Sequence, residues 1–377
     1  MSLTPLVPAM DPKIFAREIR KTGFVLENQV AHQLKSAGWT VISNKYYVDD
    51  SEEAVREIDL VAYRVNRVQH FDVYTALIIS CKKSDANAWA LLSREINLKD
   101  PNSDWWPLHA WSNDKALNFQ LAEAGKARRY HDQMNAMGVA EALRVPAVEV
   151  FAFQEMDKTS GKPQNDKPIF SAVTSLMKAQ AYELSALPNR KKAACVYQFN
   201  LVSVVDTDLL RLMFKGSRIE CAPVETEHYL ARYIVRKRET FSRIRFIQAN
   251  AFAASLDDYG RLHHANCAWM GAECDAFYHD LVKDWKRVRV LEDDFNKKIH
   301  WWMSWSLERK FGKAIDIGTL SLFWINASND LRIGLSVPNY VMEFLNKDDE
   351  IKKHVADALK TVFRYEGSFT FDDDIPF

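Results

Sequence analysis

Hydrophobic residues in the first half of the chain follow the periodicities of a mixed α/β domain. Leu26, Val30 and Leu34 repeat at intervals of four, which predicts a helix that begins after Gly23 and ends at Gly38. Strands are predicted over residues 39–48, 57–63 and 76–82, followed by a helix over 170–187 and a strand over 194–205. This order of helix, three strands, helix and strand predicts an α/β fold, with a mixed sheet flanked by helices.

Two further regions follow different patterns. Residues 84–146 interrupt the alternation and are predicted to be a tryptophan-rich insertion with a long helix over 113–137. From Leu262 helices dominate, followed by a hairpin and a final helix over 340–363. Trp301 and Trp305 are four residues apart on a predicted helix, a spacing more typical of core residues. The predicted parts are a first domain (1–261), a smaller α+β domain (262–363) and a flexible acidic tail (364–377).

The charge balance restricts where nucleic acid can bind. The 377 residues contain 50 Lys and Arg against 50 Asp and Glu, so the chain as a whole has no excess of positive charge for binding nucleic acid. Any basic surface must be local, and two stretches are candidates for phosphate contact. They are Arg190, Lys191 and Lys192, and Arg236, Lys237 and Arg238. A solvated surface explains each stretch equally well when it is taken alone.

Several function classes are disfavoured by what the sequence lacks. It contains neither a Walker-type phosphate loop nor a G-x-G-x-x-G motif, which argues against an ATPase or a dinucleotide enzyme. Five scattered cysteines without a C-x-x-C pair favour reduced thiols in a cytoplasmic protein. The absence of an 18-residue apolar stretch and of a basic leader predicts neither a membrane span nor a signal peptide.

Three charged residues in the first domain suggest a catalytic site. Asp59 interrupts the apolar strand Ile58–Ala62, and Lys82 ends the apolar run Leu77–Cys81, where an unpaired charge would be costly. Glu27 lies on the preceding helix. Carboxylates near a lysine suit phosphodiester cleavage with Mg²⁺ or Mn²⁺, which bind oxygen ligands. We predict Asp59 and Glu27 as metal ligands and Lys82 as the residue that orients or activates water.

These residues carry a resemblance to a known superfamily. The segment from about Gly23 to Val205 resembles the PD-(D/E)xK nucleases, whose fold is restriction-endonuclease-like, in element order and in three motifs. The motifs are Glu27 on the helix, Glu57-Ile58-Asp59 for the first acid, and Ser80-Cys81-Lys82 for the second. The family pattern places an acid where this chain has Ser80. Either Glu27 supplies the missing carboxylate, or the domain has lost catalysis and kept DNA binding.

The end of the chain resembles a peptide ligand. Residues 371–377 are similar to the C-terminal tip of bacterial single-stranded-DNA-binding protein (SSB), which recruits genome-maintenance enzymes. The predicted partner-binding residues are Asp372, Asp373, Asp374, Ile375, Pro376 and Phe377. Aspartates suit a basic rim, and a terminal Phe suits an apolar pocket beside a carboxylate-binding group. A solvated acidic tail and an engineered fusion at Gly367-Ser368 are the alternatives.

Together these features favour a metal-dependent DNA nuclease of bacterial DNA maintenance or defence, recruited through its SSB-like tip. The alternative is a catalytically degenerate nuclease-like protein that mimics SSB to bind or inhibit the enzymes that SSB recruits. A third possibility is that the acidic tip folds over a basic DNA groove until DNA displaces it, a closure that high salt would relieve.

Overall fold

The computed structural model describes residues 12–49 and 54–373, which form two compact units. The first unit contains the residues up to Asn113 and from Ala124 to Trp269. The second contains Asp114–Glu123 and the residues from Met270 onward. The division falls within one continuous helix, after Trp269, whereas the sequence placed it at Leu262.

Helices and strands follow one another mostly in runs along the described chain. The helices are α1 (Pro12–Glu18), α2 (Gly23–Ser36), α3 (Lys115–Leu121), α4 (Lys126–Ala136), α5 (Ala140–Leu143), α6 (Lys167–Arg190), α7 (Phe252–Tyr278), α8 (Trp285–Phe311), α9 (Asn339–Lys347) and α10 (Asp349–Phe363). The first seven strands are β1 (Thr40–Asp49), β2 (Ala54–Val68), β3 (Phe71–Lys83), β4 (Asn87–Arg94), β5 (Ala110–Ser112), β6 (Glu149–Asp157) and β7 (Cys195–Asp206). The others are β8 (Leu209–Lys215), β9 (Arg218–Pro223), β10 (Thr226–Val235), β11 (Arg238–Gln248), β12 (Ser321–Ile325), β13 (Asp330–Leu335) and β14 (Phe369–Asp373). None of the described helices is both long and apolar enough to span a membrane.

The first unit is built on a mixed sheet with the order β1-β2-β3-β7-β11-β10, and β5 pairs with β7. Strands β1, β2 and β3 form an antiparallel meander, whereas β7 runs parallel to both β3 and β11. A second sheet has the order β6-β4-β8-β9. The predicted mixed α/β architecture is therefore confirmed at this level.

Helices cover both faces of β3, as its continuous apolar run predicts. Ala76 and Ile78 share a buried cluster with Ile169 and Leu176 of α6. The alternate residues point to the other face, and Leu77 there is fully buried. Helix α2 packs against β1, β2 and β3. Charged side chains at the end of β3 are therefore held by a rigid three-layer core.

The predicted insertion is structurally divided. Strand β4 joins the second sheet, β5 joins the main sheet, and α3 belongs to the second unit. The single helix expected over 113–137 is two helices, because Gly125 adopts a left-handed backbone conformation (φ 73°) before α4 begins. The hydrophobic spacing of residues 113–137 continues across the break, so this spacing alone does not predict two helices.

The second unit packs helices against the sheet β12-β13-β14. The final helix predicted over 340–363 is interrupted at Asp348, whose extended backbone and side chain cap α10 through the Ile351 N–H. The predicted flexible tail over 364–377 is wrong for residues 369–373. They form β14, which pairs parallel to β13 and buries Phe369 and Phe371. Burial of two aromatic rings offsets the entropy cost of ordering this segment.

Candidate functional site

Strands β2 and β3 bring Asp59 and Lys82 together. Pairing of Leu60 with Ile79 places Asp59 beside Ser80, and alternation puts Lys82 on the same face. The Lys82 Nζ atom lies 3.7 Å from Asp59 Oδ2, and both side chains are half-buried. The backbone N–H of Cys81 donates a 2.7 Å hydrogen bond to the same oxygen. Asp59 is therefore a fixed carboxylate with a lysine beside it.

Glu27 shares this electrostatic environment. Burial raises the pKa of its carboxyl group, and the charges of Asp59 and Glu57 raise it further, while Lys82 opposes the shift. Like charges disfavour the ionised form, so the part of the shift that Asp59 and Glu57 cause places Glu27 near their negative charge. The three residues predicted from the sequence thus form one cluster.

Glu57 belongs to the same cluster, although the sequence analysis did not include it among the metal ligands. Its Oε1 atom accepts a 2.6 Å hydrogen bond from Asn44 Nδ2, and its charge raises the pKa of Glu27. The sequence signal that Glu57 belongs to the cluster is its position two residues before Asp59, because alternate residues of a strand share a face. Its exposed position at the strand start made a surface charge the simpler interpretation.

Ser80, at the position where the resemblance expects an acid, is unsatisfied within the described part of the chain. Its side chain is 4 % exposed, and its hydroxyl has no hydrogen-bond partner among residues 12–49 and 54–373. Ser203 lies beside it in register on β7, fully buried, and its hydroxyl also has no partner among these residues. An orphaned buried hydroxyl costs about 1–3 kcal/mol. Ser80 beside Asp59, and Ser203 one strand farther away, thus mark a polar position that the protein core alone does not satisfy.

Cys81 points to the opposite face and has a different chemistry. Burial raises the pKa of its thiol well above the ordinary value, and Asp59 and Glu27 add to this effect. The thiol is therefore protonated near neutral pH and is a poor nucleophile.

A small cleft opens between β2, β3 and α6 at Asp59. It contains about 190 Å³ of open space and is lined by Glu57, Asp59, Ser80, Ser175 and Ala179, among others. The cleft opens to solvent and suits water, an ion or one phosphate group approaching from the surface.

Few side chains at this cluster are available as metal ligands. Among residues 12–49 and 54–373, no group of three or more His, Cys, Asp and Glu side chains is arranged to hold a metal ion. Glu27 and Asp59 supply two carboxylates, and Mg²⁺ is commonly bound by one or two carboxylates with water and substrate phosphates. Burial is the largest cause of the raised pKa of Glu27, and repulsion by Asp59 and Glu57 adds a part that a divalent cation would relieve. The residues present therefore fit a partly hydrated Mg²⁺ or Mn²⁺.

The two predicted basic stretches both contact the last part of α6. Arg190 donates to Glu183 at 2.8 Å, and Arg236 donates to Ser185 at 2.8 Å. Arg236 and Lys237 have left-handed backbone conformations in the turn that joins β10 to β11, and Arg238 follows in β11. The Lys191 ammonium lies 4.5 Å from the Tyr74 ring centroid, whereas Lys192 is exposed. The turn and the end of α6 thus form a single basic surface.

The predicted partner-binding tip is divided by the fold. Asp372 and Asp373 lie in β14, and Asp372 pairs with Arg332 at 3.4 Å. The remaining residues of the tip, Asp374, Ile375, Pro376 and Phe377, lie outside the described part of the chain. Any peptide ligand at this terminus is therefore preceded directly by a folded strand.

No family model, curated protein or solved structure matches this chain.

Proposed function

We propose that the first unit hydrolyses phosphodiester bonds in DNA with the help of a divalent cation. The observation that carries this proposal is the convergence of Asp59, Lys82 and Glu27. The lysine is 3.7 Å from the aspartate, and the aspartate charge raises the pKa of the glutamate. Support also comes from the element order α2-β1-β2-β3-α6-β7, which is the order expected from the resemblance to PD-(D/E)xK nucleases.

Each residue has a defined task in this proposal. Asp59 and Glu27 would hold the metal ion, and the N–H of Cys81 keeps the Asp59 carboxylate oriented. Bound Mg²⁺ or Mn²⁺ would stabilise charge on the phosphate and lower the pKa of a water molecule. Lys82 orients the attacking water or offsets negative charge on the phosphate. The basic surface formed by the end of α6 and the β10–β11 turn attracts the DNA backbone.

Cleavage of single- and double-stranded DNA with Mg²⁺ or Mn²⁺ tests the proposal. Asp59→Ala and Lys82→Ala should each reduce the rate about 100-fold or more, since they remove a ligand and a water-orienting group. Lys83→Ala is the matched control, because Lys83 pairs with Asp85 and Asp206 instead of Asp59. Equal rates for wild type and Asp59→Ala would exclude this site as the source of cleavage.

The replacement of the second acid by Ser80 favours a second candidate function. With two well-placed carboxylates instead of three, the unit would bind DNA without cutting it, and the SSB-like tip would bind or inhibit the enzymes that SSB recruits. The alternative needs no metal and depends on the terminal residues. The two candidates differ in cleavage: the nuclease cuts DNA with Mg²⁺ or Mn²⁺ and loses this activity in Asp59→Ala, whereas the degenerate protein cuts no DNA with either metal and loses binding to such enzymes when Phe377 is deleted.

A further inference from the structure

Helix α8 of the second unit exposes two tryptophans that the sequence analysis assigned to a core. Trp301 is 74 % exposed and Trp305 is 44 % exposed. The buried side of α8 is a different stripe, formed by Val288, Leu291, Phe295, Ile299, Met303 and Leu307. Because that stripe already anchors the helix in the hydrophobic cluster of its unit, the two indoles are not needed for packing.

The exposed tryptophans lie within a regular series of side chains. Lys297, Trp301, Trp305 and Arg309 follow one another at intervals of four residues, so neighbouring side chains lie on one face about 6 Å apart along the axis. The Arg309 guanidinium lies 5.0 Å from the Trp305 ring centroid. We call these four residues the tryptophan ladder.

The charge along the tryptophan ladder is predominantly positive from Lys297 onward, whereas Asp293 and Asp294 lie one turn before it. The segment from Lys297 to Lys313 contains five cationic residues and one acidic residue, Glu308. The cationic residues are Lys297, Lys298, Arg309, Lys310 and Lys313. One of them, Arg309, also approaches Glu350, at 3.9 Å and with both side chains exposed, an arrangement that stabilises little and competes weakly for the arginine.

We propose that the tryptophan ladder binds single-stranded nucleic acid, with bases stacked on Trp301 and Trp305 and phosphates paired with Lys297 and Arg309. Stacking on aromatic rings beside a cationic track is the general mode by which proteins hold single strands. The spacing of about 6 Å is close to twice the roughly 3.4 Å rise between stacked bases, so each ring is free to meet its own base. Duplex DNA, whose bases are already stacked, gains nothing from these rings.

A membrane surface fits the same composition less well. An interfacial helix inserts the apolar face opposite its charges into the lipid. In α8 that apolar face is occupied by the core of its unit, and the exposed face mixes tryptophans with cations. The observations therefore favour a polyanion with flat apolar groups over a lipid bilayer.

Binding of a labelled oligo-dT to the full chain, measured by fluorescence anisotropy in EDTA, tests the proposal. The Trp301→Ala/Trp305→Ala variant should bind about 25-fold or more weakly, since it loses two base–ring stacks that are each worth about fivefold or more. Trp301→Phe/Trp305→Phe should retain most of the affinity. The Lys297→Ala/Arg309→Ala variant should show a weaker dependence of binding on salt. The slope of log association constant against log salt concentration should become less negative by about 0.7 for each lost phosphate contact.

Trp285→Ala is the matched control. Trp285 is 61 % exposed and also lies near cations, Lys286 and Arg289, but it stands outside the tryptophan ladder. Its loss should leave oligo-dT binding unchanged. Equal affinity of wild type and Trp301→Ala/Trp305→Ala, or no oligo-dT binding by wild type at low salt, would overturn the proposal. Binding to anionic phosphatidylserine vesicles that needs the same two tryptophans, without oligo-dT binding, would replace it with a membrane surface.

The inference rests on the proposed function only in its choice of nucleic acid as partner. Binding is measured without divalent metal, and the variants leave Asp59 and Lys82 intact. Loss of cleavage with retained tryptophan-dependent binding would overturn the nuclease proposal alone. Metal-dependent cleavage without tryptophan-dependent binding would overturn the inference alone.

Discussion

Both burial and neighbouring charges act on the ionisation of Glu27 in the candidate site. Burial and the charges of Asp59 and Glu57 raise its pKa above the ordinary value of 4.5. A carboxyl group with a raised pKa in the folded state holds its proton more tightly when folded than when unfolded. Its contribution to stability is therefore complete below about pH 4.5 and is lost as the pH rises through the folded-state pKa.

Replacement of this carboxylate tests both the repulsion and the metal site. Glu27→Gln should raise the Tm at about pH 7 by on the order of 1 °C, a small effect because solvent screens a partly exposed group. The difference should vanish below about pH 4.5, where both side chains are neutral. Calorimetry across this pH range, without metal, provides the measurement.

Added Mg²⁺ gives a second measurement on the same variant. Millimolar Mg²⁺ should raise the Tm of wild type more than that of Glu27→Gln, because binding to the folded state stabilises it. An equal rise in both proteins would show that Glu27 is not a metal ligand. Identical Tm values of the two proteins at every pH without metal would show that repulsion at Glu27 does not destabilise the fold.

Sequence reasoning found Asp59 and Lys82 because strand alternation is a local property. A charged residue within an apolar strand is easily recognised in the sequence, and the register of strand pairing then determines which side chains it contacts. The unsatisfied hydroxyls of Ser80 and Ser203, by contrast, depend on the pairing of neighbouring strands. Such contacts between distant parts of the chain are invisible to periodicity.

At the scale of elements, the sequence predicted the central strands and missed the breaks and the last strand. The predicted helices over 113–137 and 340–363 each break where one residue, Gly125 or Asp348, leaves the helical conformation. The segment 369–373 looked like an acidic tail because its aspartates obscured the alternation of Phe369 and Phe371. Its pairing partner, β13, lies almost forty residues earlier, which no local pattern reveals.

Strand β14 gives a prediction that distinguishes a folded strand from a tail. Truncation after Ser368 removes Phe369 and Phe371, two buried rings, together with the bonds between Asn346 and the Phe371 backbone. Loss of each buried Phe typically costs about 3–5 kcal/mol, so the second unit should be strongly destabilised or unfolded. Truncation after Asp373 keeps the whole strand and should leave the urea unfolding midpoint unchanged.

Both truncations also separate stability from recruitment. The shorter deletion removes Asp374 to Phe377 and should abolish binding to SSB-recruited enzymes while the fold persists. A protein that keeps full stability after truncation at Ser368 would mean that β14 contributes nothing to its sheet.

At the scale of the whole molecule, the first unit buries several histidines that must remain neutral. Burial is the main cause of a pKa lowered to about 4 in His131 and in His263, assisted by Arg243 and His264 respectively. Burial also lowers the pKa of His109 and, with Arg243, that of His228. All four are held by hydrogen bonds in which an imidazole nitrogen faces a carbonyl, hydroxyl or amide oxygen.

These histidines predict an acid-sensitive fold. The unfolded chain takes up protons below the ordinary histidine pKa of 6.5, whereas the folded His131 and His263 remain neutral until about pH 4. Stability is therefore complete above about pH 6.5 and falls with decreasing pH, by up to about 1.4 kcal/mol per pH unit for each histidine. Urea unfolding between about pH 7 and pH 5 should show this decrease in the free energy of unfolding. The His131→Gln/His263→Gln variant should lose the part of the pH dependence that these two histidines cause. An unchanged slope in that variant would mean that both imidazoles are protonated in the folded protein, which their burial argues against.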